Sequence, residues 1–136
     1  AGTLNLPGIY GLHRALDYLK KVGVQTIREK ELELAKILLE ELEHMEGVQI
    51  KGLPGTQGRT GVVSVDFSGR DNGEIAYVLA RHYKILTRCG LHCAPAAHKT
   101  LGTFPQGTVR FSPGHFNTKQ DIERTLTAVN QILKQN

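Results

Sequence analysis

The sequence is poor in cysteine and in aromatic residues: it has two cysteines, four tyrosines, four phenylalanines and no tryptophan. Two cysteines cannot build the disulfide framework of a small secreted domain, so we expect a reducing, cytoplasmic setting. No apolar run approaches the roughly 18 residues of a membrane span, and no basic stretch followed by an apolar one opens the chain. We therefore expect neither a membrane span nor a secretory signal peptide.

The sequence also lacks an initiator methionine and begins Ala1-Gly2-Thr3. Its 136 residues are enough for one compact domain, since domains usually have about 100–200 residues. Apolar residues make up 40% and charged residues 22%, which excludes a disordered or collagen-like protein. We expect residues 1–136 to form a single domain that is a piece of something longer.

Charge is distributed unevenly along the chain, whose net charge is +4. Residues 1–68 carry 8 Lys and Arg against 9 Asp and Glu, whereas residues 69–136 carry 9 against 4. An anion site is therefore expected in the second half. Nucleic acid is not expected as a partner, because the basic residues are scattered singly and the few aromatic residues form no stacking cluster.

Apolar side chains at helical spacing predict four main helices. The first has Ile9, Leu12, Leu16 and Leu19 on one face. It runs from Pro7 and stops at Gly23. The second helix is predicted over 26–46, with a capping box of Thr26 and Glu29. A third helix of some three turns follows Asp71 and Glu74, and Thr118 and Asp121 open the last one.

Alternating or β-rich runs predict strands at 48–50, 62–67, 85–87 and 109–112. The order of elements favours an α+β fold, with a small, mainly antiparallel sheet covered by helices. The connection 88–108 is long for a compact domain and contains one short predicted helix, 95–101. Connections of that length are usually functional.

Cys93 is the candidate nucleophile of this connection. It precedes the short helix, whose free N–H groups would favour a thiolate, as would Arg88 and a protonated His92 if they lie near. Two other interpretations stay open. Cys93 could be a buried thiol that packs as a small apolar residue. A metal site could form instead, although no second cysteine pair exists to complete it; its ligands would be Cys89, His92, Cys93 and His98.

Arg110 is the candidate anion-binding residue. It lies in a predicted strand ahead of Ser112-Pro113-Gly114. Its planar guanidinium could present two donors at once to a carboxylate or a phosphate. A surface ion pair at a sheet edge would explain the residue equally well.

Four segments together resemble the C-terminal part of the class V aminotransferase family, in its cysteine desulfurase and selenocysteine lyase branch. The resemblance runs from end to end of the chain, and the segments come in the family's order and spacing. Leu4 stands where the family usually has proline. The segments are Gly2-Thr3-Leu4-Asn5, Arg88-Cys89-Gly90-Leu91-His92-Cys93-Ala94-Pro95, Gly107-Thr108-Val109-Arg110-Phe111-Ser112 and Phe116-Asn117-Thr118.

The resemblance implies an enzyme that depends on pyridoxal 5'-phosphate (PLP) and converts L-cysteine to L-alanine, leaving the sulfur as a persulfide on Cys93. Arg110 matches the arginine that holds the substrate carboxylate. Arg88 matches a second arginine beside the cysteine loop, which is the part of the connection 88–108 that carries Cys93. Gly2 and Thr3 match a segment that reaches the cofactor phosphate of the partner subunit in a homodimer. A sulfur-acceptor protein is a possible further partner.

The same resemblance implies that the lysine that binds PLP belongs to a large domain absent from these residues, so that the fragment alone would be inactive. Lys99 follows the cysteine loop, where the family has no such lysine, and is not expected to replace it. Two alternatives remain open. The intact protein could be a selenocysteine lyase or another class V transaminase, or this chain could be a free-standing α+β module that binds anions near Arg88 and Arg110.

Overall fold

A computed structural model describes residues 2–135 of the chain. In chain order, its elements are α1 (Leu6–Val22), α2 (Val24–Glu43), β1 (Val48–Lys51), β2 (Val63–Phe67), α3 (Asn72–Tyr83), β3 (Arg88–Gly90), α4 (Pro95–Thr100), β4 (Thr108–Phe111) and α5 (Lys119–Lys134).

The four strands form one sheet in the order β1-β2-β4-β3, and every neighbouring pair is antiparallel. Strand β4 thus lies between β2 and β3, which precede it in the chain. The predicted α+β fold with a small antiparallel sheet is confirmed.

One face of the sheet forms the core. Along β2, Val63, Val65 and Phe67 are buried, and Val109 and Phe111 of β4 lie beside them on the same face. Helices α2, α3 and α5 cover this face. Their buried apolar residues include Leu34, Leu38, Leu42, Ile75, Leu79, Ile122 and Val129. The alternation of a strand places Ser64, Arg110 and Arg88 on the opposite, open face.

Two helix starts are confirmed in detail. The Asp71 carboxylate accepts hydrogen bonds from the backbone N–H groups of Gly73 and Glu74 at the start of α3. At α5 the Thr118 hydroxyl accepts from Asp121 N, and the Asp121 carboxylate accepts from Thr118 N. The hydrogen bonds from the Thr118 backbone and side chain lower the pKa of the Asp121 carboxyl group.

The start predicted for the second helix is wrong. Helix α2 begins at Val24, directly after Gly23, and this end has no side-chain cap. Gly23 has a φ of 89°, which interrupts the helical backbone between α1 and α2 at this single residue. Thr26 therefore lies inside the helix and forms no capping box with Glu29. The helix ends at Glu43 rather than at 46.

The strand predicted at 85–87 is also wrong. Lys84 ends α3 with a φ of 59°, and the Ile85 N–H donates to Leu79 O, which closes the helix instead of joining a sheet. The pairing with β4 begins three residues later, at Arg88. The short helix predicted at 95–101 is present as α4.

Helix α1 has the predicted apolar face, but the face is exposed. Ile9, Leu12, Leu16 and Leu19 are between 39% and 63% exposed, and none of the residues of α1 is buried. The ring of Tyr18 contacts those of His115 and Phe116, which lie before α5. Within residues 2–135, no helix combines the length and apolar character needed to cross a bilayer.

Candidate functional site

Two arginines face each other on the open side of the sheet. Arg88 of β3 is the direct antiparallel partner of Arg110 of β4, and Ser64 of β2 is the partner of Arg110 on its other side. Residues opposite each other in an antiparallel pair project from the same face. The structure therefore brings the two predicted anion-binding residues together.

Arg110 is half-buried, and its Nε atom is buried with no hydrogen-bond partner among residues 2–135. A buried donor without an acceptor is costly, so an anion that supplied one would be bound favourably. Arg110 makes no ion pair with an acidic side chain in the described part of the chain. This arrangement fits a carboxylate or phosphate and disfavours the surface ion pair considered from the sequence.

Cys93 lies in the turn between β3 and α4, and its side chain is exposed. The Arg88 Nη2 atom donates a hydrogen bond to the Cys93 sulfur at 3.6 Å. The interpretation of Cys93 as a buried thiol is wrong. The Cys93 sulfur is thus accessible to a reactant and has a hydrogen-bond donor beside it.

Cys89 contrasts with Cys93. It lies in β3, is half-buried and packs against the core. Burial, and secondarily the Asp71 carboxylate, raises the pKa of the Cys89 thiol. Cys89 is therefore the less reactive thiol. In residues 2–135, no three His, Cys, Asp or Glu side chains are arranged to hold a metal ion, the four candidate ligands around Cys93 included.

His92 points inward from the same turn. Its Nε2 is 3.3 Å from the Thr108 hydroxyl, within hydrogen-bond distance. Burial lowers the pKa of the imidazole, and the positive charges of Arg110 and Arg88 and the ring of His98 lower it further. A lowered pKa disfavours the protonated imidazole, which weakens the expectation that a protonated His92 assists the thiolate.

The ends of the cysteine loop are fixed by residues that sequence reasoning missed. Buried Asn72, the first residue of α3, accepts a hydrogen bond from Phe67 N and donates to Asp66 and to Gly107 O. Buried Thr108 bonds His92. Their sequence neighbours give no signal for these contacts, since Asn72 lies between Asp71 and Gly73 and Thr108 between Gly107 and Val109.

The remaining predicted site residues lie apart from this group. Gly2 and Thr3 are exposed, precede α1 and make no hydrogen bond to Cys93, Arg88 or Arg110. Lys99, for which the sequence predicts no cofactor role, places its ammonium 5.2 Å from the centre of the Phe104 ring. The site is an open face of the sheet, so a further segment would have to cover it before water could be excluded.

A model of the family described as Aminotransferase class-V matches residues 1–125. A probable cysteine desulfurase of Xylella fastidiosa is 33% identical over 134 residues, which are 98% of this chain and 31% of that protein. One from Pseudomonas putida is 34% identical over 134 residues, again 98% of this chain and 32% of the relative. The chain thus spans about a third of the length of the curated relatives it matches.

Solved structures agree with the sequence comparisons. The apo structure of the cysteine desulfurase from Thermococcus onnurineus superposes with a TM-score of 0.90 at 33% identity, covering 98% of this chain and 32% of that one. The Escherichia coli cysteine desulfurase CsdA, in an S-sulfonic acid form, gives a TM-score of 0.86 at 29% identity with the same coverage. Sequence, fold and the order of the matched segments all lead to one assignment: the chain belongs to the class V aminotransferase family.

Proposed function

We propose that this chain is the C-terminal small domain of a PLP-dependent cysteine desulfurase, and that Cys93 receives sulfur from L-cysteine. The observation that carries the proposal is the exposed Cys93 sulfur beside Arg88, with Arg110 opposite Arg88 on the same open face. The names of the relatives support this choice among the activities of the family. The large domain of such an enzyme would cover the open face.

Arg110 and Arg88 would bind the substrate. The unpartnered Nε of Arg110 offers a donor for one carboxylate oxygen, and the terminal nitrogens of its fork can serve the second. Arg88 faces Arg110 and also contacts Cys93. It would therefore link the position of the amino acid to the position of the thiol.

The class V aminotransferases are generally PLP-dependent. When bound, the cofactor supplies an electron sink for the amino acid. The lysine that holds it would lie in the large domain. Exposed Gly2, with open space around its Cα, and Thr3 leave room for the cofactor phosphate of a partner subunit. The role we assign to this chain is to orient the amino acid and to accept its sulfur.

The sulfur transfer balances without any added oxidant or reductant. The Cys93 thiolate attacks the substrate sulfur, an S–S bond forms and the bond from that sulfur to the substrate Cβ breaks. The electron pair of the broken bond goes to Cβ, which then takes up a proton. Alanine leaves, and Cys93 carries a persulfide that a sulfur-acceptor protein can remove. We place this enzyme in the cytoplasm and expect it to act as a homodimer.

The test compares two cysteine substitutions in the intact protein loaded with PLP. Cys93→Ala should abolish the formation of alanine from L-cysteine while the visible absorbance of the bound cofactor persists. Cys89→Ala, which removes the half-buried thiol, is the matched control and should retain activity. Sulfur transfer by the Cys93→Ala protein would overturn the proposal, and alanine release from selenocysteine alone would favour a selenocysteine lyase.

A further inference from the structure

We propose that Thr103 and His98 are positioning residues that hold the His92–Cys93 turn in the conformation that sets the Cys93 thiol beside Arg88. This inference rests on the proposed function only in taking Cys93 as the reacting thiol. Neither residue forms a hydrogen bond to the sulfur or to Arg88, and both act through His92.

The turn is strained. His92 and Cys93 have φ values of 52° and 61°, and they are two of the three non-glycine residues between residues 2 and 135 with a positive φ. An L-residue with a side chain is disfavoured in the left-handed region, and two in succession need support from their surroundings. Some contact must therefore hold the turn that exposes the Cys93 sulfur.

The support lies on the inner side of the turn. The His92 ring packs on the His98 ring, with 5.6 Å between the ring centres and 48° between the planes. The hydrogen bond between His92 Nε2 and the Thr108 hydroxyl group fixes the other edge of the ring to strand β4. Because His92 is held inward, its neighbour Cys93 is directed outward.

The orientation of the His98 ring is in turn fixed by Thr103. His98 and Thr103 are 5% and 4% exposed, and His98 Nδ1 lies 2.7 Å from the Thr103 hydroxyl oxygen. Thr103 N also donates to His98 O at 2.9 Å, and Gly107 N donates to Thr103 O at 2.7 Å. Thr103 thus connects the ring that supports His92 to the backbone at the start of β4.

The experiment uses the intact protein and compares Thr103→Val, which removes only the hydroxyl group, with Thr103→Ser, which keeps it. Thr103→Val should lower kcat for alanine formation by about tenfold, since small displacements of a reacting group have effects of this size. KM for L-cysteine should stay unchanged, because Arg110 keeps its place in the sheet. Thr103→Ser should restore kcat.

Thr100→Val is the matched control. Thr100 is exposed on α4, and within residues 2–135 its hydroxyl group donates only to Ala96 O of its own helix. This variant should behave as the unmodified protein. If Thr103→Val fails to fold, His98→Phe gives the same comparison, because it keeps a ring of similar volume and lacks the nitrogen that bonds Thr103.

A second readout needs no enzyme activity. The rate at which iodoacetamide modifies Cys93 at pH 7, followed on its peptide by mass spectrometry, should fall in Thr103→Val and in Arg88→Gln. The double variant should be no slower than Arg88→Gln alone, because both changes remove the same contact. Additive losses would overturn the proposal, as would a Thr103→Val protein with unchanged kcat and alkylation. If the unmodified protein forms no alanine, the proposed function fails, and the alkylation rates still decide the role of Thr103.

Discussion

Gly107 lies so close to Gly90 that a Cβ atom on Gly107 would overlap the backbone carbonyl group of Gly90. The two residues join the end of β3 to the start of β4, on either side of the segment that carries Cys93. Gly107 also has a φ of 76°, and its carbonyl accepts a hydrogen bond from Asn72. The close approach therefore closes the base of the cysteine loop.

Gly107→Ala should destabilise the protein more than Gly102→Ala does. Gly102 has a φ of 68° but open space around its Cα, so its substitution tests backbone strain alone, at about 1–2 kcal/mol. The Gly107 variant adds the overlap with Gly90, so we expect its free energy of unfolding to fall clearly further. Urea unfolding of both variants measures the difference. Equal losses would show that the loop base opens to admit the methyl group.

Arg110→Lys should weaken substrate binding in the intact protein. Lysine keeps the positive charge but loses the planar fork and the Nε donor. A hydrogen bond to a charged group contributes about 1.5–3 kcal/mol, so KM for L-cysteine should rise by roughly one to two orders of magnitude.

Arg124→Lys is the control for this substitution, because Arg124 is an exposed arginine of α5 whose guanidinium bonds Tyr83 O. It should leave KM unchanged. A normal KM in Arg110→Lys would remove the carboxylate role that we give to Arg110.

The protonation of His92 should make stability depend on pH in a defined direction. Its pKa is lowered in the folded protein from the ordinary value of 6.5, chiefly by burial. Below that value the unfolded chain takes up a proton that the folded chain does not, so acid favours unfolding. The stability associated with neutral His92 is present above pH 6.5 and is lost as the pH falls through the folded pKa.

Urea unfolding between pH 7.5 and pH 5 and an NMR titration of the His92 ring test this prediction. His92→Asn should have a flatter pH dependence than the unmodified chain, since asparagine does not titrate. An NMR pKa for His92 above 6.5 would contradict the structure.

The sequence predicts local features better than pairings between distant segments. Asp71 and Thr118 cap their helices as expected because an N-cap depends on residues within one turn. Strand β3 was missed because its position depends on pairing with β4, some 20 residues away, whereas the β-rich Ile85-Leu86-Thr87 follows the left-handed Lys84. Short strands are selected by their partners more than by their own composition.

The candidate site shows the same contrast between local features and contacts between distant segments. The sequence places Arg88 and Cys93 within six residues, and in the structure the Arg88 guanidinium donates a hydrogen bond to the Cys93 sulfur. Its supports, His98 with Thr103 and Asn72 with Gly107, are contacts formed only after folding. The lowered pKa of His92 likewise arises from burial and from groups on two strands and α4, and no local pattern encodes it.

Two leucines on neighbouring helices should differ greatly in how much stability the same substitution costs. Leu42 of α2 is 0% exposed in the core, and Leu12 of α1 is 63% exposed. Leu42→Ala should cost about 2–5 kcal/mol, because it removes buried methyl groups and leaves a cavity. Leu12→Ala should change the free energy of unfolding of this chain by less than about 0.5 kcal/mol, since its side chain makes little contact that folding buries.

Urea unfolding of this chain and of the intact protein measures both effects. In the intact protein the cost of Leu12→Ala should rise if the large domain covers α1, whereas the cost of Leu42→Ala should stay the same. A small Leu12→Ala effect in both proteins would show that the large domain leaves this face of α1 uncovered. A large effect in the isolated chain would mean instead that copies of the chain bury Leu12 against one another, which a dependence of unfolding on protein concentration would reveal.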